Sequence, residues 1–312
     1  MQTWSVWAPL EITLPVFLMV LLGVYLRRRN AIDDAFISVS SKLVFNLALP
    51  ALMFIAVATA RLDVAAHWPL ITFALLAGTG AAVLAFIWAS VSGLKAGQHG
   101  AFVQASFRSN LGIVGLALCI AAFHEEGAAL GALILAVVTP LYNLLSVWVL
   151  GRHQAENWTE HLINIAKNPL VIALLAALLV QWSGFTLPPI AERAGRWLGQ
   201  MALPLALIGS GGSISQQLRG SFGPVVLQTV LLKLVLLPGF VVLMAAIWGF
   251  RGTELGVITL MFASPTAAAA FVMAKAMNSD ALLTARSIAL TTLGSLLSIS
   301  GFLYVLILFG LV

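Results

Sequence analysis

Charged side chains are scarce in this chain. Lys, Arg, Asp and Glu make up 9% of its 312 residues, against roughly 25% in a soluble domain whose surface must face water. Cysteine is scarcer still: Cys119 stands alone, which excludes an intrachain disulfide and any cysteine-based metal site. No carboxylate lies deep in an apolar run; Glu125, Glu126, Glu254 and Asp280 all sit at run ends. The HExxH and GxSxG signatures, paired intramembrane carboxylates and a Cys/His set are also missing. The chain therefore reads as no enzyme, with no metal site and no cofactor. Its net charge of +5 is scattered through short loops rather than gathered in a patch, so nucleic acid is not expected as a partner.

What remains is apolar. Hydrophobic residues are 61% of the chain, gathered in runs of about twenty, the length that crosses a hydrocarbon core. Lipid offers no hydrogen-bond partners, so each run must satisfy its own backbone as a helix, and the period-two alternation of an outer-membrane barrel is missing. The sequence predicts an all-α polytopic membrane protein of ten transmembrane helices. The spans fall near 10–27, 39–59, 69–93, 101–122 and 128–150, then 169–184, 197–215, 222–249, 254–276 and 282–311. No Lys or Arg precedes the first run, so it lacks the basic start of a cleaved signal peptide and reads as a retained span.

Basic residues set the orientation. Arg27, Arg28, Arg29, Lys42, Lys95, Arg152, Lys167, Arg219, Lys275 and Arg286 fall in one set of alternate loops, and Arg61, Arg193, Arg196 and Arg251 in the other. The positive-inside rule places both termini in the periplasm, across a bacterial inner membrane. The polar stretch 151–168 reads as a cytoplasmic linker, so its Asn157-Trp158-Thr159 sequon is not a glycosylation site.

The chain also resembles itself. Pro15 corresponds to Pro169 and Pro50 to Pro204, both 154 residues apart, and Ser106–Asn110 aligns with Met261–Pro265 at 155. Five spans per half is odd, so the halves enter the membrane from opposite sides. The organisation expected is a first five-helix repeat at 1–150, the linker at 151–168 and a second, inverted repeat at 169–312, the architecture of many secondary transporters. Corresponding spans four and nine both look broken. Span four carries Arg108-Ser109-Asn110-Leu111-Gly112, and span nine carries Ser264-Pro265-Thr266. Pro265 lacks an N–H and frees a carbonyl in mid-span, tolerable only where it lines a cavity or faces protein.

These residues resemble the auxin efflux carrier family, which includes plant auxin exporters and bacterial carriers of malonate and similar acids. Asn110-Leu-Gly-Ile-Val-Gly115-Leu is similar to the family's span-four motif, Pro265-Thr-Ala-Ala-Ala-Ala-Phe271-Val-Met-Ala-Lys275 to its span-nine signature, and Asn46-Leu-Ala-Leu-Pro50 to its second-span motif. Ala117 and Ala270 stand where the family often has crossing prolines. The resemblance implies a bile-acid-symporter-like fold. Spans 1, 2, 6 and 7 would form a scaffold, with spans 3–5 and 8–10 as a mobile crossover domain, and a homodimer would form through the scaffold helices.

The expected activity is secondary transport of a small organic anion, a carboxylate, by alternating access of the elevator type; the alternatives are a channel or a membrane sensor and, behind them, an intramembrane enzyme. The substrate-binding set is Asn46, Arg108, Asn110, Gly112, Asn143, Ser264, Pro265 and Thr266. Arg108 is either a ligand or a side chain snorkelling to the interface. Asn46 and Asn143 are buried amides, each a ligand contact or an interhelical hydrogen bond. Lys233 lies too deep to snorkel, and with Lys275 it forms the coupling or gating set. With no deep carboxylate, coupling is open between H⁺, Na⁺ held by carbonyls and hydroxyls, and no ion. Topology is testable in a Cys119→Ser background: impermeant maleimide should label Thr3→Cys and spare Gln154→Cys in outer-membrane-permeabilised cells. The reverse pattern refutes the orientation.

Overall fold

The structure is a computed structural model and describes residues 7–59, 66–151, 169–217 and 222–312. Arg61, Arg219 and the linker from Arg152 through Lys167 lie outside the described residues. Among the described residues there are twelve helical elements. They are α1 Ala8–Arg28, α2 Asp34–Thr59, α3 Trp68–Val91, α4 Ala96–Phe107, α5 Leu111–Leu150, α6 Pro169–Ser183, α7 Pro189–Gln200, α8 Ala202–Gln217, α9 Pro224–Trp248, α10 Gly252–Ala263, α11 Ala269–Ala276 and α12 Ala281–Leu308. Among the described residues extended pairing is limited to one isolated antiparallel bridge, Ser109 with Thr266.

Six of these helices are long and apolar enough to cross a membrane: α1, α2, α3, α5, α9 and α12. At about 1.5 Å per residue the 40 residues of α5 would reach about twice the depth of a hydrocarbon core. They do not run straight. His124 has φ 51° and ψ −128°, which folds α5 into limbs at 111–123 and 125–150. A Cβ on Gly127 would lie 2.1 Å from the Cys119 carbonyl oxygen, so the limbs meet backbone to backbone. The sequence reading put a loop at 123–127; a single residue makes the turn instead.

Helix starts follow their local chemistry. Asp33 caps α2 by accepting from Phe36 N–H at 2.8 Å, and Asp280 caps α12 by accepting from Leu283 N–H at 2.9 Å. Proline opens α3, α7 and α9, where its missing N–H would have no partner anyway. Inside helices proline acts differently. Pro50 and Pro238 each withhold an i+4 donor, and each is preceded by a five-residue π-turn, Val44–Ala48 and Leu232–Leu236. Such bulges absorb the register change. Pro204 withholds the same donor from Gln200, and the helix breaks at Met201 into α7 and α8. The sequence reading had one helix at 197–215, and missed α7 because its polar face interrupts the apolar run.

Packing interleaves the two halves of the chain. α1 lies along α8, and α2 along α6 and α7, whereas α5 packs on α3, α4 and α10, and α9 on α10 and α12. The α1–α8 contact is very close: a Cβ on Gly211 would lie 1.9 Å from Val20 O, and one on Gly23 would lie 2.1 Å from Ile208 O. Small residues let membrane helices approach this closely. Gly211→Ala therefore has only backbone to push against and should destabilise the protein by at least roughly 1–3 kcal/mol, seen as a lower unfolding midpoint of the detergent-purified protein. An unchanged midpoint would mean that α1 and α8 part without cost.

Candidate functional site

Two helices are interrupted where the sequence reading expected. α4 stops at Phe107, Arg108 and Asn110 leave the helical region (ψ 95° and 64°), and helix resumes at Leu111. α10 stops at Ala263, Ser264 is extended (ψ 150°), and α11 starts at Ala269. The two breaks lie against each other. Asn110 N–H donates to Pro265 O at 2.7 Å and Ala267 N–H to Arg108 O at 3.0 Å. Each interruption thus supplies the partners that the other needs, which a buried break requires. Both form without prolines at Ala117 and Ala270, each of which is buried within helix.

Hydroxyls close most of the remaining valences. Thr291 Oγ1 on α12 accepts from Thr266 N–H at 3.1 Å, and Thr266 Oγ1 donates to Ala105 O at 2.7 Å. Ser264 Oγ donates to Met261 O at 2.7 Å, and Ser109 Oγ to Phe262 O at 3.0 Å. Ser264 and Thr266 are fully buried, so their side chains hold the crossing together and leave no hydroxyl directed into a cavity in this conformation.

Arg108 is 5% exposed and does not snorkel. Its guanidinium donates to Tyr142 O at 3.0 Å, Ser146 Oγ at 2.8 Å and Asn143 Oδ1 at 2.7 Å, all on the second limb of α5. Its Nε has no hydrogen-bond partner. Asn143 is accordingly an interhelical contact. Tyr142 and Ser146 were not picked from the sequence; Ser146 lies three residues after Asn143, on the same helix face, and that spacing was the available signal for it, whereas Tyr142 contributes a backbone carbonyl.

A cavity of about 70 Å³ lies beside the crossing. Its wall includes Arg108, Asn110, Leu111, Gly112 and Ile113 from the first break, Ala267, Ala268 and Ala269 from the second, and Phe45 and Leu170 from α2 and α6. The starts of both resumed helices therefore face one space, and no Asp or Glu lines it. Pockets that hold small organic ligands run from roughly 300 to 1,000 Å³, so this conformation is nearly closed. Asn46 departs from expectation. It is exposed, and its neighbour Phe45 faces the cavity, because the π-turn ahead of Pro50 rotates this stretch of α2. Lys275 is exposed in the last turn of α11, at the end away from the break. Lys233 sits at the crossing itself, donating to Ser109 Oγ and to Phe262 O at 3.2 Å.

A larger cavity, about 290 Å³, lies between the second half of α2, the His124 turn and α7. Arg196 at its edge pairs with Glu192 at 2.8 Å and reaches Glu125 at 3.6 Å. The sequence reading missed it. Gly195 and Gly199, four apart on one face of α7 and pressed against Ile55 and Leu52, were the sign of that close approach.

Interrupted helices paired at their breaks, among helices of membrane-crossing length, belong to the class of membrane transporters. Residues 10–303 match the family model described as membrane transport protein, and the chain belongs to that family, the auxin efflux carriers. It is 26% identical over 292 residues to an uncharacterized transporter of Methanothermobacter thermautotrophicus, covering 93% of this chain and 95% of that one. An uncharacterized transporter of Methanocaldococcus jannaschii is 22% identical over 94% of this chain and 97% of its own. The uncharacterized transporter YfdV of Escherichia coli is 22% identical over 94% and 96%. The chain is a transporter and not an enzyme.

Because Asn110 holds the crossing through its backbone N–H, Asn110→Ala should leave the unfolding midpoint within a few degrees. Asn110→Pro deletes that donor and should cost roughly 1–3 kcal/mol. Equal midpoints for the two variants would mean that the Asn110–Pro265 bond does not hold the breaks together.

Proposed function

We propose that the chain is a secondary carrier of a small carboxylate-bearing organic anion, bound at the crossing. One observation carries this reading. The starts of two resumed helices, together with Asn110 and Arg108, line a single cavity that has no acidic residue in its wall. Each helix start contributes unpaired N–H groups and about half a positive charge, and such ends favour carboxylates and phosphates. Arg108 adds a planar fork of donors suited to a carboxylate, and its unpartnered Nε is a donor in reserve. Gly112 belongs to the site through its place in the cavity wall; a Cβ there would make only an ordinary contact, 3.5 Å from Leu135 Cδ1. Ser264, Pro265 and Thr266 act by shaping the second break.

The ten-span reading accounts for the short elements. α4 with the first limb of α5 makes span four, and the second limb makes span five. α6 makes span six, α7 with α8 span seven, and α10 with α11 span nine. Two inverted repeats, 1–150 and 169–312, follow from that count. The grouping of α1, α2, α6, α7 and α8 as a scaffold, with the rest as a moving crossover body, is supported by their packing and by the cavity lying between the two groups. Movement of that body across an inner membrane, with both termini periplasmic, would expose the site to each side in turn.

Proteoliposomes test the activity. Radiolabelled malonate, succinate and indole-3-acetate, supplied singly, should include at least one solute taken up saturably and counter-exchanged. A channel would give uptake linear in concentration. Arg108→Lys keeps the charge and loses the fork, and should raise the half-saturation concentration about tenfold, the equivalent of one charged hydrogen bond. Unchanged half-saturation in Arg108→Lys, Arg108→Gln and Asn110→Ala together would refute the anion site, as would transport restricted to neutral or cationic solutes.

A further inference from the structure

Lys233 is 1% exposed, and among the described residues no carboxylate pairs with it. It sits on the π-turn Leu232–Leu236 of α9. Its ammonium reaches across to both interrupted helices at once, bonding Ser109 Oγ in the first break and Phe262 O in the last turn before the second. Phe262 O is available for a physical reason. Its helical i+4 donor would be Thr266 N–H, which is bonded to Thr291 Oγ1 instead.

The direction of the helices explains why a cation belongs there. α4 and α10 both end at the crossing, and each brings the carbonyl end of a helix dipole, about half a negative charge. Two such ends sum to about one unit of negative charge buried away from water, so they attract a single monovalent cation. In carriers with broken helices, unwound carbonyls and half-helix C-termini are the groups that coordinate a coupling Na⁺. Here the ammonium of Lys233 already bonds the hydroxyl and the carbonyl that such an ion would take.

We infer that Lys233 is a tethered counter-ion standing in the place of a coupling metal cation, and that the carrier moves its anion without Na⁺. This rests on the crossing being the transport site, and it divides the crossing by charge. The resumed-helix starts with Arg108 face the anion, and the interrupted-helix ends are neutralised from behind by α9.

The test reads cation specificity rather than activity alone. Thermal unfolding of the detergent-purified protein is followed at constant ionic strength while NaCl replaces choline chloride. The wild-type midpoint should not move. Lys233→Gln removes the charge and adds an amide oxygen to the vacated place; its midpoint in choline should fall by about 5 °C or more and recover saturably with Na⁺. Lys233→Arg keeps the charge and should stay indifferent to Na⁺. A saturable, Na⁺-specific rise in the wild type overturns the inference, and that measurement decides alone if Lys233→Gln cannot be purified. A Lys233→Gln midpoint that equals the wild type's, or that falls and recovers no better with Na⁺ than with choline, overturns it too. The two readings fail separately. Carboxylate uptake driven by a Na⁺ gradient sinks the counter-ion role and leaves the anion site standing. No uptake of any carboxylate, with a Na⁺-indifferent wild type and a Na⁺-rescued Lys233→Gln, does the opposite.

Discussion

Two backbone hydrogen bonds, Asn110 N–H to Pro265 O and Ala267 N–H to Arg108 O, are the constraint on which the rest of this molecule depends. A helix stopped deep inside an apolar protein leaves donors and acceptors that water cannot reach, and each would cost about 1–3 kcal/mol unpaired. One broken helix would need a dedicated polar lining. Two breaks laid antiparallel pair four of their backbone groups with each other, and the hydroxyls of Thr291, Thr266, Ser109 and Ser264 close four more. α12 therefore does more than cover the crossing, because its Thr291 hydroxyl completes a valence of the second break. The hairpin of α5 has a similar double part. Its first limb resumes the helix interrupted after α4, and its second returns to hold the Arg108 guanidinium.

Fixing the backbone in this way leaves a charge pattern that the breaks themselves dictate. Interrupted helices end in carbonyls and resumed helices begin in N–H groups, so a crossing has an electronegative part and an electropositive part, whatever side chains surround it. The side chains here follow that division. Arg108 and Asn110 stand with the resumed starts at the cavity, and Lys233 stands with the interrupted ends. Neither cation needs a carboxylate, which is how a chain without an acidic residue deep in its apolar runs keeps two buried cations.

The positions of the breaks were legible in the sequence because proline, asparagine, serine and glycine in the middle of an apolar run have few other physical explanations. Pro265 and Asn110 were read correctly as interruptions for that reason. The partners of Arg108 were not legible: Tyr142 and Ser146 are 34 and 38 residues away, and only the reversal at His124 brings that limb back. His124 itself carried little turn signal, since φ 51° with ψ −128° lies outside the left-handed helical region that histidine sometimes adopts and is glycine's territory. Asn46 was read as a buried amide from its place in an apolar run, and the rotation introduced by the π-turn before Pro50 turned it outward. The amphipathic α7 was passed over because its Glu192, Arg193 and Arg196 made a span end look like a loop. The bonds of Ser264 and Thr266 were not legible either: in this conformation their hydroxyls are bonded to backbone carbonyls at Met261 and Ala105.

The π-turn under Lys233 has a consequence for how the chain tolerates changes in length. A π-turn fits one more residue into its loop than an α-turn does, so removing a single residue between Leu232 and Leu236 would return α9 to plain helix. The flanking segments would keep nearly their present phase, because the π-turn absorbs one residue's worth of rotation. What would go is the local widening on which Lys233 stands, and Pro238 would then sit in a plain α-turn with no N–H to give it. The composition, hydropathy and length of the span would hardly change, yet the place of the lysine at the crossing hangs on that one extra residue.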